Sequence, residues 1–108
     1  KDAFWHCPKL TEINIPQSLT SIEDNTFRNC GSLRNLTIPN SVTSIGSCAF
    51  YGCKGLERIS IPTSVMSIGK YAFKYCKNLK HIEFNGEVYD SVDSFMKAFS
   101  NYRASQRS

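Results

Sequence analysis

A chain of 108 residues, 41% hydrophobic, 20% charged and with a formal net charge of +4, carries apolar material for one globular domain. It has no run of about 18 apolar residues, so no transmembrane segment is expected. Nor does it open on a charged, apolar and small-residue leader.

The opening KDAFWHC reads as the second half of a unit that recurs downstream, so the chain is expected to be cut from something longer. Phe4 returns as Phe27, Phe50 and Phe73, each 23 residues on, and Cys7, Cys30, Cys53 and Cys76 keep the same interval. So do Leu10, Leu33, Leu56 and Leu79; Ile13, Leu36, Ile59 and Ile82; and Ile15, Ile38, Ile61 and Phe84. Pro16, Pro39 and Pro62, then Ser18, Ser41 and Ser64, then Ile22, Ile45 and Ile68 complete the match. A fixed period between about 20 and 50 residues marks a solenoid, propeller or array, whose copies bury their apolar columns against one another.

Within one unit, LRNLTIP (33 to 39) alternates as a short strand near its end, and Pro39 stops its ladder because proline has no amide donor. SVTSIG then points Val42 and Ile45 at the same core, and Gly46 is expected to supply a tight or left-handed turn. AFYGC brings the chain back with Phe50 and Cys53 inward. Where Gly46 and Gly69 stand, the first copy has Glu23, so its turn should use another backbone or carry strain. The hydroxyls of Ser18, Ser41 and Ser64, and of Ser21, Ser44 and Ser67, are expected to satisfy turn amides. Stacking should set like residues about 4.8 Å apart.

After Phe84 the repeat changes. Asn85-Gly86 is a strong turn signal, and Val92, Phe95, Met96 and Phe99 then follow i, i+3, i+4, i+7 spacing, one face of a helix begun at Asp90 or Ser91. That stripe is expected to close the open end of the core, with RASQRS as a frayed tail. The chain therefore divides into repeats over 1–84, the first partial, and a turn with a helical cap over 85–108.

The pattern LxxIxIPxSVTSIGxxAFxxC, in Leu33 to Cys53 and again in Leu56 to Cys76, resembles the BspA-like, or Treponema-type, leucine-rich repeat. The resemblance implies a right-handed solenoid with a strand-lined concave face. It also implies a cell-surface or secreted source among gut or oral bacteria or protists, with roles in adhesion, and it brings no catalytic residues.

Four of the five cysteines are the periodic ones, spaced unlike the close pairs that metal sites favour. Adjacent coils also suit disulfide geometry poorly, so these are expected to be buried thiols packing as small hydrophobes. Cys48 is out of phase, with Asp2, Asn25 and Tyr71 for column mates, and should be partly exposed. His6 beside Cys7 lacks an identifiable third group for a nucleophile and base. No phosphate loop or metal spacing occurs, so no enzyme and no cofactor are expected.

The outward columns of the first leg are the chemically expressive ones. They are Arg34, Glu57 and Lys80; Asn35, Arg58 and His81; and Thr37, Ser60 and Glu83. This mixed, hydrogen-bonding face suits a host or neighbouring-cell protein or a glycan, against a solvated face with no partner. Between Lys54 and Lys80 six basic residues stand against the single acid Glu57. Lys54, Lys70, Lys74 and Lys77 form a patch fit for a polyanion, but without interleaved exposed aromatics and without a basis for specific nucleic-acid binding. The expected function is a recognition or adhesion module, the rivals being a structural spacer and an enzyme using Cys48 or His81. Self-association through residues 1 to 15, with Trp5 at the open edge, is a further expectation.

Overall fold

Every parallel pairing joins a residue to the one 23 positions on. Ser21–Ile22 (β1), Ser44–Ile45 (β3) and Ser67–Ile68 (β5) form one three-stranded sheet, with Ile22 opposite Ile45 and Ile45 opposite Ile68. Asn35–Thr37 (β2), Arg58–Ile61 (β4) and His81–Phe84 (β6) form the second, with Leu36 opposite Ile59 and Ile59 opposite Ile82. A shift of one residue would turn each apolar column outward, so the core columns and the register enforce each other. The computed structural model describes residues 15–106; the expectations for Phe4, Trp5, His6, Cys7 and the N-terminal edge lie outside them.

Between the two sheets runs a return leg without strands, held by its own cross-coil ladder. The Asn25, Phe27 and Asn29 amides donate to the carbonyls of Ser47, Ala49 and Tyr51 at 3.0, 2.8 and 2.7 Å. One coil later, Cys48, Phe50 and Gly52 donate to Lys70, Ala72 and Lys74 at 3.0, 2.8 and 2.8 Å. Inside this frame Phe27, Phe50 and Phe73 stack with ring centroids 5.3 Å apart at each step and planes within 6° and 3° of parallel. Cys30, Cys53 and Cys76 are buried thiols beside them, as the period implied. The Cys53 and Cys76 thiols donate to the carbonyls of Phe27 and Phe50 at 3.0 and 3.1 Å.

The glycine of each unit has a different job from the one expected. Neither Gly46 nor Gly69 has a positive φ; the left-handed residues are Asn25, Cys48 and Tyr71, and Asn29, Gly52 and Tyr75. Gly46 is needed because a Cβ there would stand 2.5 Å from the Asp24 amide nitrogen of the preceding coil. Glu23 therefore needs neither another backbone nor strain: the bonds Thr26 N to Glu23 O, Ala49 N to Gly46 O and Ala72 N to Gly69 O are all 3.3 Å. Two of the serines are likewise corrected. Ser41 and Ser64 donate to the carbonyls of Leu19 and Val42 on the preceding coil, at 2.6 and 2.7 Å, instead of accepting from turn amides.

At the C-terminal end the solenoid is closed by two devices. Asn85 and Gly86, with φ of 53° and 80°, make the two-residue turn that favours a hairpin. It folds Glu87–Tyr89 (β7) antiparallel onto β6, a strand the sequence reading lacked. Val92–Ser105 (α1) follows, capped by Ser91, whose hydroxyl accepts from the Ser94 amide. Phe95 and Phe99 are buried, with Val92, Met96 and Tyr102 packed beside them. Phe95 meets Phe73 edge-on at 6.2 Å and 90°, ending the stack. The helix reaches Ser105, so the first half of RASQRS is not frayed. Its Arg103 donates at 3.0 Å to the Val65 carbonyl, the column position that Ser41 and Ser64 serve on earlier coils. The cap thus supplies at this carbonyl the bond that a further coil's serine would make.

Burial fixes the protonation of this core. Desolvation, with the neighbouring Cys76 adding to it, pushes the Cys53 thiol far above the ordinary 9.0, and desolvation pushes Cys76 up to about 12. A raised folded-state value stabilises fully below the unfolded one and is lost as pH rises through the folded one. The melting temperature should therefore hold up to about pH 9 and fall steadily above it. Cys53→Ser is expected to cost about 1–3 kcal/mol, and the half-buried Cys48→Ser under about 0.5 kcal/mol. Paired thermal melts check this, and equal losses would mean the inward column is misassigned.

Candidate functional site

Strand alternation decides which side chains are free. In β4, Ile59 and Ile61 are buried while Arg58 is exposed and Ser60 half-buried; in β6, Ile82 and Phe84 are buried while Glu83 is exposed. The register places Asn35, Arg58 and His81 in one row and Thr37, Ser60 and Glu83 in the next. These six side chains, with Leu36 and Ile59 as floor, line a shallow depression of about 260 Å³. A second of about 240 Å³ continues it over Ser60 and Glu83 to the hairpin at Asn85, Gly86 and Val88. Cation, carboxylate, imidazole, amide and hydroxyl converge here on an apolar floor, which equips the face for directional hydrogen bonding to a polar ligand.

The remaining row, Arg34, Glu57 and Lys80, stands exposed along the edge of this face. Arg34 and Glu57 pair across coils at 3.1 Å, with side chains 56% and 49% exposed. Such a pair is worth about 0–1 kcal/mol, so it is free to exchange for a ligand group. All nine residues expected from the sequence thus share one surface. His81 is half-buried within it.

The basic patch is richer than its sequence suggested. Lys54, Lys70, Lys74 and Lys77 are all exposed, and two of them are organised by exposed aromatics, contrary to the expectation that none would interleave. Lys70 and Lys74 lie over the Tyr71 ring, each 5.1 Å from its centroid, and Lys74 also lies 5.2 Å from Tyr75. Tyr75 meets Tyr51 edge-on at 5.3 Å, and the Arg28 guanidinium sits 4.8 Å over Tyr51. The signal was available in part: Arg28, Tyr51 and Lys74 are one 23-residue column. It was missed because the column changes residue type at each step.

Among the described residues no group of three or more His, Cys, Asp or Glu could hold a metal ion, and no helix is long and apolar enough to cross a membrane.

Comparison with known proteins places this arrangement. A family model described as a BspA type leucine rich repeat region matches six copies over residues 1–105. A leucine rich cell surface protein of Faecalibacterium prausnitzii A2-165 is 41% identical with a TM-score of 0.76, over 79% of this chain and 22% of its own. A leucine-rich repeat protein of Bacteroides ovatus is 41% identical with a TM-score of 0.71, over 75% and 21%. A leucine rich repeat protein of T. pallidum is 30% identical with a TM-score of 0.76, over 90% and 52%. The chain thus spans about a fifth of the first two proteins and about half of the third. None of the curated proteins is similar enough in sequence to count as a match.

Proposed function

The chain belongs to the BspA-type leucine-rich repeat family, and on that premise we propose that it is a non-enzymatic recognition and adhesion module. It is carried by a surface or secreted protein and binds a protein or glycan of a host or neighbouring cell through the β2–β4–β6 face. The observation that carries this reading is the contrast between columns. Inward positions repeat as Leu36, Ile59 and Ile82, while outward ones change from Asn35 to Arg58 to His81 around one depression. A repeat that only extended other domains would need the first set and not the second. The surface location is supported by the Faecalibacterium protein, itself described as a cell surface protein.

The test is an array of glycans and host extracellular proteins, probed with the chain and with a variant carrying Arg58→Ala, His81→Ala and Glu83→Ala. Because exposed substitutions usually shift stability by under about 0.5 kcal/mol each, the variant should fold normally and lose its array ligand by roughly tenfold or more, as removal of one good polar contact implies. An array with no ligand, or one bound equally by both proteins, would favour the spacer.

A further inference from the structure

The inner coils spend their return-leg amides on the next coil, and the third coil has none to receive them. Asn25, Phe27 and Asn29 donate to coil two, and Cys48, Phe50 and Gly52 donate to coil three. Among the described residues the amides in the same columns of the last coil, at Tyr71, Phe73 and Tyr75, have no hydrogen-bond acceptor. On that side, between the coil and the first turn of α1, lies a cavity of about 310 Å³. Tyr71, Phe73 and Lys74 line it with Asp93, the one acid in its wall. Unpaired backbone amides beside the Lys74 ammonium offer an anion hydrogen-bond donors and a positive charge together.

The tyrosines make the same point from their backbone. Tyr71 and Tyr75 hold φ of 62° and 65°, where a bulky residue is an outlier. The columns supply Asn25 and Cys48, and Asn29 and Gly52, at the equivalent sites on earlier coils, so a large ring stands there only in the last coil. Burial does not account for the choice, since the two tyrosines are 49% and 54% exposed. What the rings do is hold cations: Lys70 and Lys74 stand over Tyr71 and Lys74 also over Tyr75, as Arg28 stands over the neighbouring Tyr51. Fixing flexible cationic side chains in advance lowers the entropy lost on binding.

We infer that the row running from Arg28 through Tyr51, Tyr75, Lys74 and Tyr71 to Lys70 is a binding surface for a sulfated polysaccharide. Its end cavity seats one sulfate between Lys74 and the free amides of Tyr71 and Phe73. A repeating anion matches a row of fixed cations. Single-stranded nucleic acid fits less well, because bases need open ring faces to stack on and here those faces already carry this chain's cations. The surface is distinct from the β2–β4–β6 face, so either can fail without the other.

The experiment measures the affinity of the chain for heparin and for fully desulfated heparin, with folding followed by thermal melts. Binding is expected for the sulfated polymer alone, and it should weaken steeply between about 50 and 200 mM salt. The double variant Lys70→Glu, Lys74→Glu should lose tenfold or more. Tyr71→Gly and Tyr75→Gly relieve the left-handed backbone, so they should lose affinity while melting no lower than the parent. Asp93→Asn should bind more tightly, and Arg58→Glu on the strand face should bind as the parent does. The inference is overturned by equal binding of desulfated polymer, by no binding at all, or by full affinity in the Lys70/Lys74 variant. It is equally overturned if single-stranded DNA or anionic lipid vesicles bind more tightly than heparin, or if Arg58→Glu matches the loss of the lysine variant.

Discussion

A chain ended after Asp90 is expected to lose its cooperative melt and to aggregate at micromolar concentration. The helix it would lack buries Phe95 completely and leaves Phe99 only 6% exposed, and each such side chain contributes about 1.5–3 kcal/mol. Its removal also uncovers Phe73 and Phe84, which Phe95 covers edge-on at 6.2 and 5.5 Å. The combined loss, roughly 6 to 12 kcal/mol on the same scale, is comparable with the 5 to 15 kcal/mol that stabilises a whole domain. A repeat array needs a terminal unit with a polar outer face, and here a helix supplies it. Light scattering and circular dichroism on the shortened chain check the expectation. Phe95→Ala gives a graded version at about 3–5 kcal/mol. A shortened chain that stays monomeric and melts with the parent would show that the coils stand without α1.

The sequence was most informative where one residue type must repeat. Stacking Phe27, Phe50 and Phe73 in one ladder demands the same volume three times, so the column shows in the letters, and the register of every parallel strand follows. Where the demand falls on neighbouring coils together, letters mislead. Gly46 looks like a turn glycine, yet its constraint is the Asp24 backbone 23 residues earlier, which no local pattern shows. Ser41 and Ser64 look like turn residues, yet their acceptors lie on the coil before. The nine outward residues of the first leg were legible because strand alternation leaves only two sides to choose from. The tyrosine and lysine row was not, because Arg28, Tyr51 and Lys74 are three residue types and their kinship is one of position. The hairpin lay in plain view in EFNGEVY, where Asn85 and Gly86 both take the positive φ that a two-residue turn requires; the helix pattern beyond drew the reading past it.

Phe50→Ala is expected to cost about 3–5 kcal/mol, as truncation of a fully buried aromatic does, and to change the manner of unfolding as well as its midpoint. Phe50 is 0% exposed and stacked on both faces, with Phe27 and Phe73 each 5.3 Å away. Its neighbours cannot close the gap, because the Phe27 and Phe50 amides pin the coils to the Ala49 and Ala72 carbonyls at 2.8 Å. Such a cavity keeps its volume, and its cost sits at the high end of the range. In a stack where each coil touches only its neighbours, stability is a sum of units and interfaces. Loss of the middle ring weakens both interfaces of coil two at once, uncoupling the first coil from the capped end. Urea unfolding followed by circular dichroism should therefore show an earlier midpoint and a shallower transition, since an apparent m falls when two-state behaviour breaks down. An earlier midpoint with an unchanged slope for Phe50→Ala would mean that the coils unfold as one cooperative unit, held by their backbone ladders and not by the phenylalanine stack.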